Sequence, residues 1–242
     1  MTPATHDKDA LMNPLWNELA SGQLTDSQHV LLSRFLDLLI AGNQRMNLTR
    51  ITDRAAAELN HIGDALTLLR YLPPGAIRLA DVGSGGGVPG IPLAIARPDA
   101  AVTLIESTVK KARFLTETAE ALGLSNVKVR PERAEEAGVG PVRESFDVVT
   151  VRAVGVMAWL VEWCLPLVKV GGTMLAMKGP RLTEELPSAL RTIRLLGGGE
   201  PTVHPVDLPG TGGHVIVAIR KVRKTDSRFP RPATSAKGKP LG

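Results

Sequence analysis

The spacing of apolar residues changes character once along this chain, near residue 77. Ahead of that point it follows a helical period, with Val30, Leu31, Phe35, Leu38 and Leu39 on one face. Asp26-Ser27 opens the segment, Thr25 and Gln28 stand at capping-box spacing, and Gly42-Asn43 predicts its end. A loop through Asn47-Leu48-Thr49 leads to a second helix, expected from about residue 54 to 69 and halted by Pro73-Pro74. Beyond residue 77, short apolar runs alternate with helical stretches. The runs are 77–82, 102–105, 127–129, 146–151, 173–177 and 214–219, with 202–206 as a further strand of an edge hairpin. Helices are expected over 108–122, ending at Gly123, and over 156–168, ending near Gly171-Gly172. Strands separated by helices pair in parallel, because the crossover returns the chain to the same edge of the sheet. The pattern therefore predicts an α/β fold with a doubly wound, mostly parallel sheet over residues 76–220. A helical cap over 1–75 precedes it, and a tail over 221–242 follows.

Composition narrows the class. The chain has 242 residues, 43% of them apolar, which is enough for a sizeable core. The polar opening, with His6, Asp7, Lys8 and Asp9, lacks the layout of a signal peptide, and no apolar run reaches membrane-span length. Cys164 stands alone, and the five histidines show no metal-ligand spacing. These features point to a cytoplasmic protein without a metal, in which the sequon Asn47-Leu48-Thr49 goes unglycosylated. Net charge is +5, but residues 220–242 alone carry +7, from eight basic side chains and Asp226. Basicity thus belongs to the tail, which with Pro230, Pro232 and Pro240 is expected to be extended or disordered. A basic tail on a near-neutral body suits phosphate contact with a nucleic acid, and Arg223 and Lys224 are its candidate contacts.

The chemistry concentrates in Asp81-Val82-Gly83-Ser84-Gly85-Gly86-Gly87-Val88-Pro89-Gly90, between an apolar strand and a helical stretch. Glycines there permit a tight turn and close approach of the backbone to a ligand. Glu106 ends the next strand, where an acid accepts hydrogen bonds from both ribose hydroxyls of a nucleoside. This arrangement is Rossmann-like and serves NAD as well as S-adenosylmethionine. The dinucleotide frame starts two residues late and puts Pro89 at the helix start. The frame Asp81-x-Gly83-x-Gly85-x-Gly87 fits a methyltransferase better, because a carboxylate beside the first glycine repels a pyrophosphate but tolerates a cofactor with a positive amine. Asp81, Gly83, Gly85 and Glu106 are the cofactor candidates from this reading.

The run from Asp81 to Leu93 resembles the RsmG/GidB family (glucose-inhibited division protein B). So do Asn43-x-x-x-Asn47-Leu48-Thr49, His61-x-x-Asp64-Ala65-Leu66, Arg133-Ala134-Glu135-Glu136, Val151-Arg152-Ala153 and Lys178-Gly179. One departure is Gly42, where the family often has tryptophan. The resemblance implies a 16S ribosomal RNA guanine N7-methyltransferase using S-adenosylmethionine, with 16S rRNA or a small-subunit precursor as partner. It implies cofactor contacts at Gly83, Val88, Ala134, Glu135 and Arg152. Asn47, His61, Arg152 and Lys178 are candidate substrate contacts. The alternatives are a turn cap for Asn47, a buried hydrogen-bonded imidazole for His61, and a surface ion pair for Arg152. Trp159 and Trp163, one helical turn apart, read as core packing.

A ring nitrogen such as N7 has a free lone pair and no proton to lose, so no catalytic base is expected and positioning does the work. Two absences agree with that. No Asn/Asp-Pro-Pro-aromatic motif follows the fourth strand, and Cys164 falls mid-helix. With 3% aromatic residues the chain lacks stacking platforms for single strands, so phosphate contacts by tail and cap should supply most affinity. The rival readings are a methyltransferase for a small molecule or protein, an NAD-dependent oxidoreductase, and an RNA-binding protein with a vestigial fold.

Overall fold

The computed structural model describes residues 12–152, 155–209, 212–232 and 241. The tail beyond Pro232 (Leu241 apart), the opening residues 1–11 and Ala153 of the Val151-Arg152-Ala153 motif lie outside them.

Helix α1 (Pro14–Leu19) is capped by the Asn13 side chain, and α2 (Asp26–Met46) opens on the expected Thr25–Gln28 capping box. Helix α2 does not stop at Gly42-Asn43. It runs to Met46 and closes on Asn47 in the left-handed conformation (φ 45°). Gly42 stays inside because the Phe114 ring packs on it, and a Cβ there would stand 2.5 Å from Phe114 Cε2. Asn43 Oδ1 instead accepts from the Leu48 and Thr49 amides and so shapes the loop that follows. The second helical stretch is composite: α3 (Arg54–Ala57), a π-helical turn over Glu58–Gly63, and α4 (Asp64–Leu66).

Seven strands follow: β1 (Arg78–Val82), β2 (Ala101–Ile105), β3 (Val127–Arg130), β4 (Phe146–Arg152), β5 (Val168–Lys178), β6 (Thr202–Pro205) and β7 (Val215–Arg220). They form one sheet in the order β3-β2-β1-β4-β5-β7-β6. The first five run parallel, and β7 enters antiparallel between β5 and β6. Between them lie α5 (Gly90–Ala96), α6 (Val109–Ala121), α7 (Ala134–Val139), α8 (Met157–Cys164) and α9 (Leu182–Leu195).

Alternate residues of each strand feed opposite faces, as the pleat requires. Leu79, Leu104, Val148 and Leu175 pack with Trp16, Phe35, Leu39, Ile62 and Leu93, so the N-terminal helices share one core with this face. Ala80, Ile105, Val149 and Ala176 pack on the other face with Leu160, Val161, Ile193 and Phe229.

Further departures from expectation lie beyond β4. Helix α8 ends at Cys164, because Pro166 has no amide hydrogen and the chain tightens into a 3-10 turn over Leu165–Leu167. Gly171-Gly172 then lies within β5 rather than at a helix end, beside a register shift between Phe146 and Val148. The first half of the tail is docked, not loose. Lys221 is fully buried, with its ammonium on Leu165 O and Thr225 Oγ1, and the Arg231 guanidinium spans both oxygens of the buried Glu162 at 2.7 Å. No described helix is long and apolar enough to cross a membrane.

Candidate functional site

The parallel strands deliver their carboxyl ends to one rim of the sheet, where α/β folds bind ligands. Gly83, Glu106, Arg152 and Lys178 arrive there on four adjacent strands, and Ala134-Glu135 starts α7 beyond the end of β3.

The turn after β1 is held from below. Asp81 is 1% exposed and points under the turn, where Oδ2 accepts from the Gly90 amide (3.2 Å) and Oδ1 from the Thr150 hydroxyl (3.1 Å). Its carboxylate thus holds the helix start and the neighbouring strand, and Asp81 is not among the residues that line the cleft beside the turn. Burial is the main cause that lifts its carboxyl to about 6, against the hydrogen bonds from Thr150 and Gly90. Gly90 has no room for a side chain, since a Cβ would lie 2.3 Å from Leu104 Cδ2 and 2.8 Å from Asp81 Oδ2. Gly85 is different: its φ of +53° favours glycine, while only its own turn lies within 4 Å of the missing Cβ.

Glu106 accepts from the Gly85 amide through Oε2 (2.9 Å) and from the Thr108 amide through Oε1 (2.7 Å). Each oxygen keeps a lone pair, so the residue fits a ribose diol while holding the turn in place. The bare backbone face at Gly83–Gly85 and this carboxylate together fit a nucleoside cofactor.

A cleft of about 840 Å³ opens between this turn and the cap. It is lined by Gly83, Gly85 and Val88 from the turn, Asn47, Thr49, Arg50 and His61 from the cap, Lys111 of α6, and Arg152. Sequence-derived candidates from both halves of the chain thus meet in one cavity. Ala134, Glu135 and Glu106 do not line it. They lie toward β2 and β3, with the Glu135 side chain largely shielded and 3.8 Å from Arg133.

Arg152 is not a surface ion pair. Its Nη2 donates to Asn60 O in the π turn (2.8 Å), and Nε lies 3.5 Å from the buried Asp64, which also faces His214 Nδ1 at 3.6 Å. His61, on the same turn, meets the Thr49 hydroxyl at 2.9 Å. Burial, and then the Arg152 charge, push its imidazole down to about 4, so it is neutral near pH 7.

A second cleft of about 530 Å³ adjoins the first across Arg152 and includes Lys178, Trp159 and Glu185. Lys178 binds Gly155 O (2.8 Å) and Glu185 (2.6 Å). Trp163 is buried as expected, whereas Trp159 is half-buried and walls this cleft.

Arg223 and Lys224 stand apart from both clefts. Arg220 pairs with Thr173, at the amino end of the parallel strands, so the residues after it emerge on the opposite rim. There Arg223 is tied to Arg194 O. Asp64, Thr49, Asn60, Lys111 and Glu185 went unassigned from sequence. Asp64 carried a signal, three residues after His61, but Lys111 carried none beyond its place in the helix expected over 108–122. Among the described residues no cluster suits a metal ion.

Comparison with solved structures gives a TM-score of 0.54 to an S-adenosylmethionine-dependent methyltransferase from Aquifex aeolicus, at 17% identity over 73% of this chain and 97% of that one. TYW2 of M. jannaschii, in complex with AdoMet, gives 0.53 at 16% identity over 73% and 81%. These show the fold. Sequence relatives are much nearer. The protein named ribosomal RNA small subunit methyltransferase G from Chloroflexus aggregans is 43% identical over 219 residues, 90% of this chain and 92% of its own length. Its namesake from Lactobacillus delbrueckii is 41% identical over 225 residues, covering 90% and 94%. With the family profile matching residues 28–207, the chain belongs to the rRNA small subunit methyltransferase G family, GidB.

Proposed function

We propose that this methyltransferase moves the methyl group of S-adenosylmethionine to N7 of a guanine in the decoding-region loop of 16S rRNA, within the small subunit or its precursor. The observation that carries the reading is a pair of adjoining clefts that share a tethered arginine, Arg152. S-adenosylmethionine, when bound, supplies a methyl group made electrophilic by its sulfonium.

The protein's part is to hold and orient. Glu106 accepts the ribose hydroxyls, the Gly83–Gly85 backbone admits the cofactor closely, and Ala134-Glu135 flanks the adenine. Arg152 borders both ligands. Arginine that donated to N7 would block the attacking lone pair, so its anchoring to Asn60 O and Asp64 has a chemical use: it points the guanidinium away from that role. Asp64 also offsets the arginine's charge as positive charge passes to the guanine ring. Neutral His61 contributes a wall rather than a proton acceptor. Arg50 and Lys111 supply cations at the cleft mouth for RNA phosphates.

Methyl transfer from labelled S-adenosylmethionine to small subunits lacking the modification, with nucleosides identified by mass spectrometry, is the test. Label should appear as 7-methylguanosine in 16S RNA, and label in another nucleoside or in protein would replace this reading. Arg152→Ala should lower kcat/KM at least about tenfold by weakening cofactor or RNA binding. Unchanged affinity for both would remove Arg152 from the site. Between pH 6 and 8 the rate should show no inflection from His61, whose imidazole titrates near 4.

A further inference from the structure

We infer that the second cleft seats the target base and that Glu185, partnered by Lys178, reads the Watson–Crick edge of guanine, an inference that rests on the guanine reading above. That edge presents two donors, N1–H and the exocyclic amine, beside one acceptor, O6. Its complement is an acceptor pair beside a donor, shielded from water.

Glu185 and Lys178 form that complement. Lys178 ends β5, Glu185 comes from the first turns of α9, and their side chains are 14% and 10% exposed for the acid and the base respectively. Glu185 Oε2 accepts from the Met157 amide (2.9 Å) and from Lys178 Nζ (2.6 Å). Oε1 has no hydrogen-bond partner among the described residues, so its two lone pairs remain as the acceptor pair on an anchored carboxylate that lines the cleft. The Lys178 ammonium has three hydrogens; Gly155 O and Glu185 use two, and the third is available to O6. Trp159 lines the same cleft and supplies an aromatic surface for the base. Asp64, the other carboxylate at this cleft, is 3% exposed and already faces Arg152 and His214.

The arrangement selects by chemistry. Adenine would turn its N1 lone pair toward the carboxylate and its amine toward the ammonium, both repulsive. Guanine satisfies both groups and leaves N7, on the adjoining Hoogsteen edge beside O6, unengaged.

Small subunits assembled on 16S RNA with guanosine or inosine at the modified position test this. Inosine keeps N7, O6 and N1–H and lacks only the exocyclic amine. Wild type should methylate inosine with kcat/KM lower by about tenfold or more. In Glu185→Gln, the Met157 amide and Lys178 hold the amide oxygen at the Oε2 position, so the new NH2 faces the exocyclic amine. E185Q should therefore lose the preference for guanosine. Lys178→Met should slow both substrates by a similar factor and keep the preference, because both carry O6. Equal wild-type rates on the two RNAs, or an E185Q that slows both alike as a merely structural ion pair would, overturns the inference. Wild-type formation of 7-methylguanosine keeps the underlying reading intact in either case. Should E185Q fail to bind S-adenosylmethionine, the wild-type ratio and K178M decide the matter.

Discussion

At the scale of single residues, Asp81 shows why a costly group is kept. The buried carboxyl titrates near 6, above its value of about 3.9 in an unfolded chain. The folded state therefore holds that proton more tightly. The stabilisation is full below about pH 4 and is lost as pH rises through 6, at most about 3 kcal/mol. Asp81→Asn should be free of that loss. Denaturant midpoints of both proteins from pH 4 to 7 should show wild type declining relative to the variant across this window, and parallel curves would mean the carboxyl is not so placed. An acid persists there because it offers acceptors to both the Gly90 amide and the Thr150 hydroxyl, where asparagine offers one oxygen. Gly90→Ala should be worse than any change to that charge. With Leu104 and Asp81 in the way of its Cβ, the turn must shift, and S-adenosylmethionine affinity measured by calorimetry should fall at least about tenfold.

Elements were legible where their cause was local. Alternation of apolar runs and helical stretches marked every strand to within a few residues, apart from the early start of β5, and the Thr25–Gln28 box marked the start of α2. The glycine-rich turn and Glu106 were legible for the same reason, since their geometry is written in consecutive residues. What escaped depended on partners distant in the chain. Gly42 reads as a stop until Phe114 is placed against it. Helix α9 carries Leu182, Leu186, Ala189 and Ile193 at helical spacing, yet Pro187 in its midst disguised it. The π turn, which places His61 on one cleft and Asp64 against Arg152, has no compositional signature at all. Gly42→Ala gives the contrast a number. Alanine is the better helix former by about 1 kcal/mol, yet the Phe114 clash should make the variant less stable by about 1–3 kcal/mol in thermal unfolding. A net gain would show that the ring moves aside cheaply.

Across the whole molecule, the tail's charge serves the fold as much as any ligand. Of the basic residues after β7, Lys221 is buried, Arg228 pairs with Asp226, and Arg231 neutralises Glu162 of α8. Phe229 packs into the core on the α8 face of the sheet, and Arg143 binds the carbonyls of Thr225 and Phe229. Arg231→Ala leaves Glu162 as an unpaired buried charge and should cost on the order of 3 kcal/mol, seen as a lowered Tm. Removing everything from Lys221 onward should therefore fail in folding before it reports on RNA. A chain ending at Pro232 keeps these contacts and loses only Lys237 and Lys239 from the basic set. Its salt dependence of RNA binding should flatten by no more than about two phosphate contacts.

One guanidinium, that of Arg152, forms part of the wall of both cavities. On the proposal that cofactor and target base fill these two clefts, a displacement of Arg152 by one ligand is felt by the other, and such linkage is reciprocal: whatever factor the first changes for the second, the second returns to the first. Order of addition then ceases to be a detail of assay design. A spent cofactor that lingers would also set how firmly the modified RNA is held, so turnover becomes a negotiation between two departures.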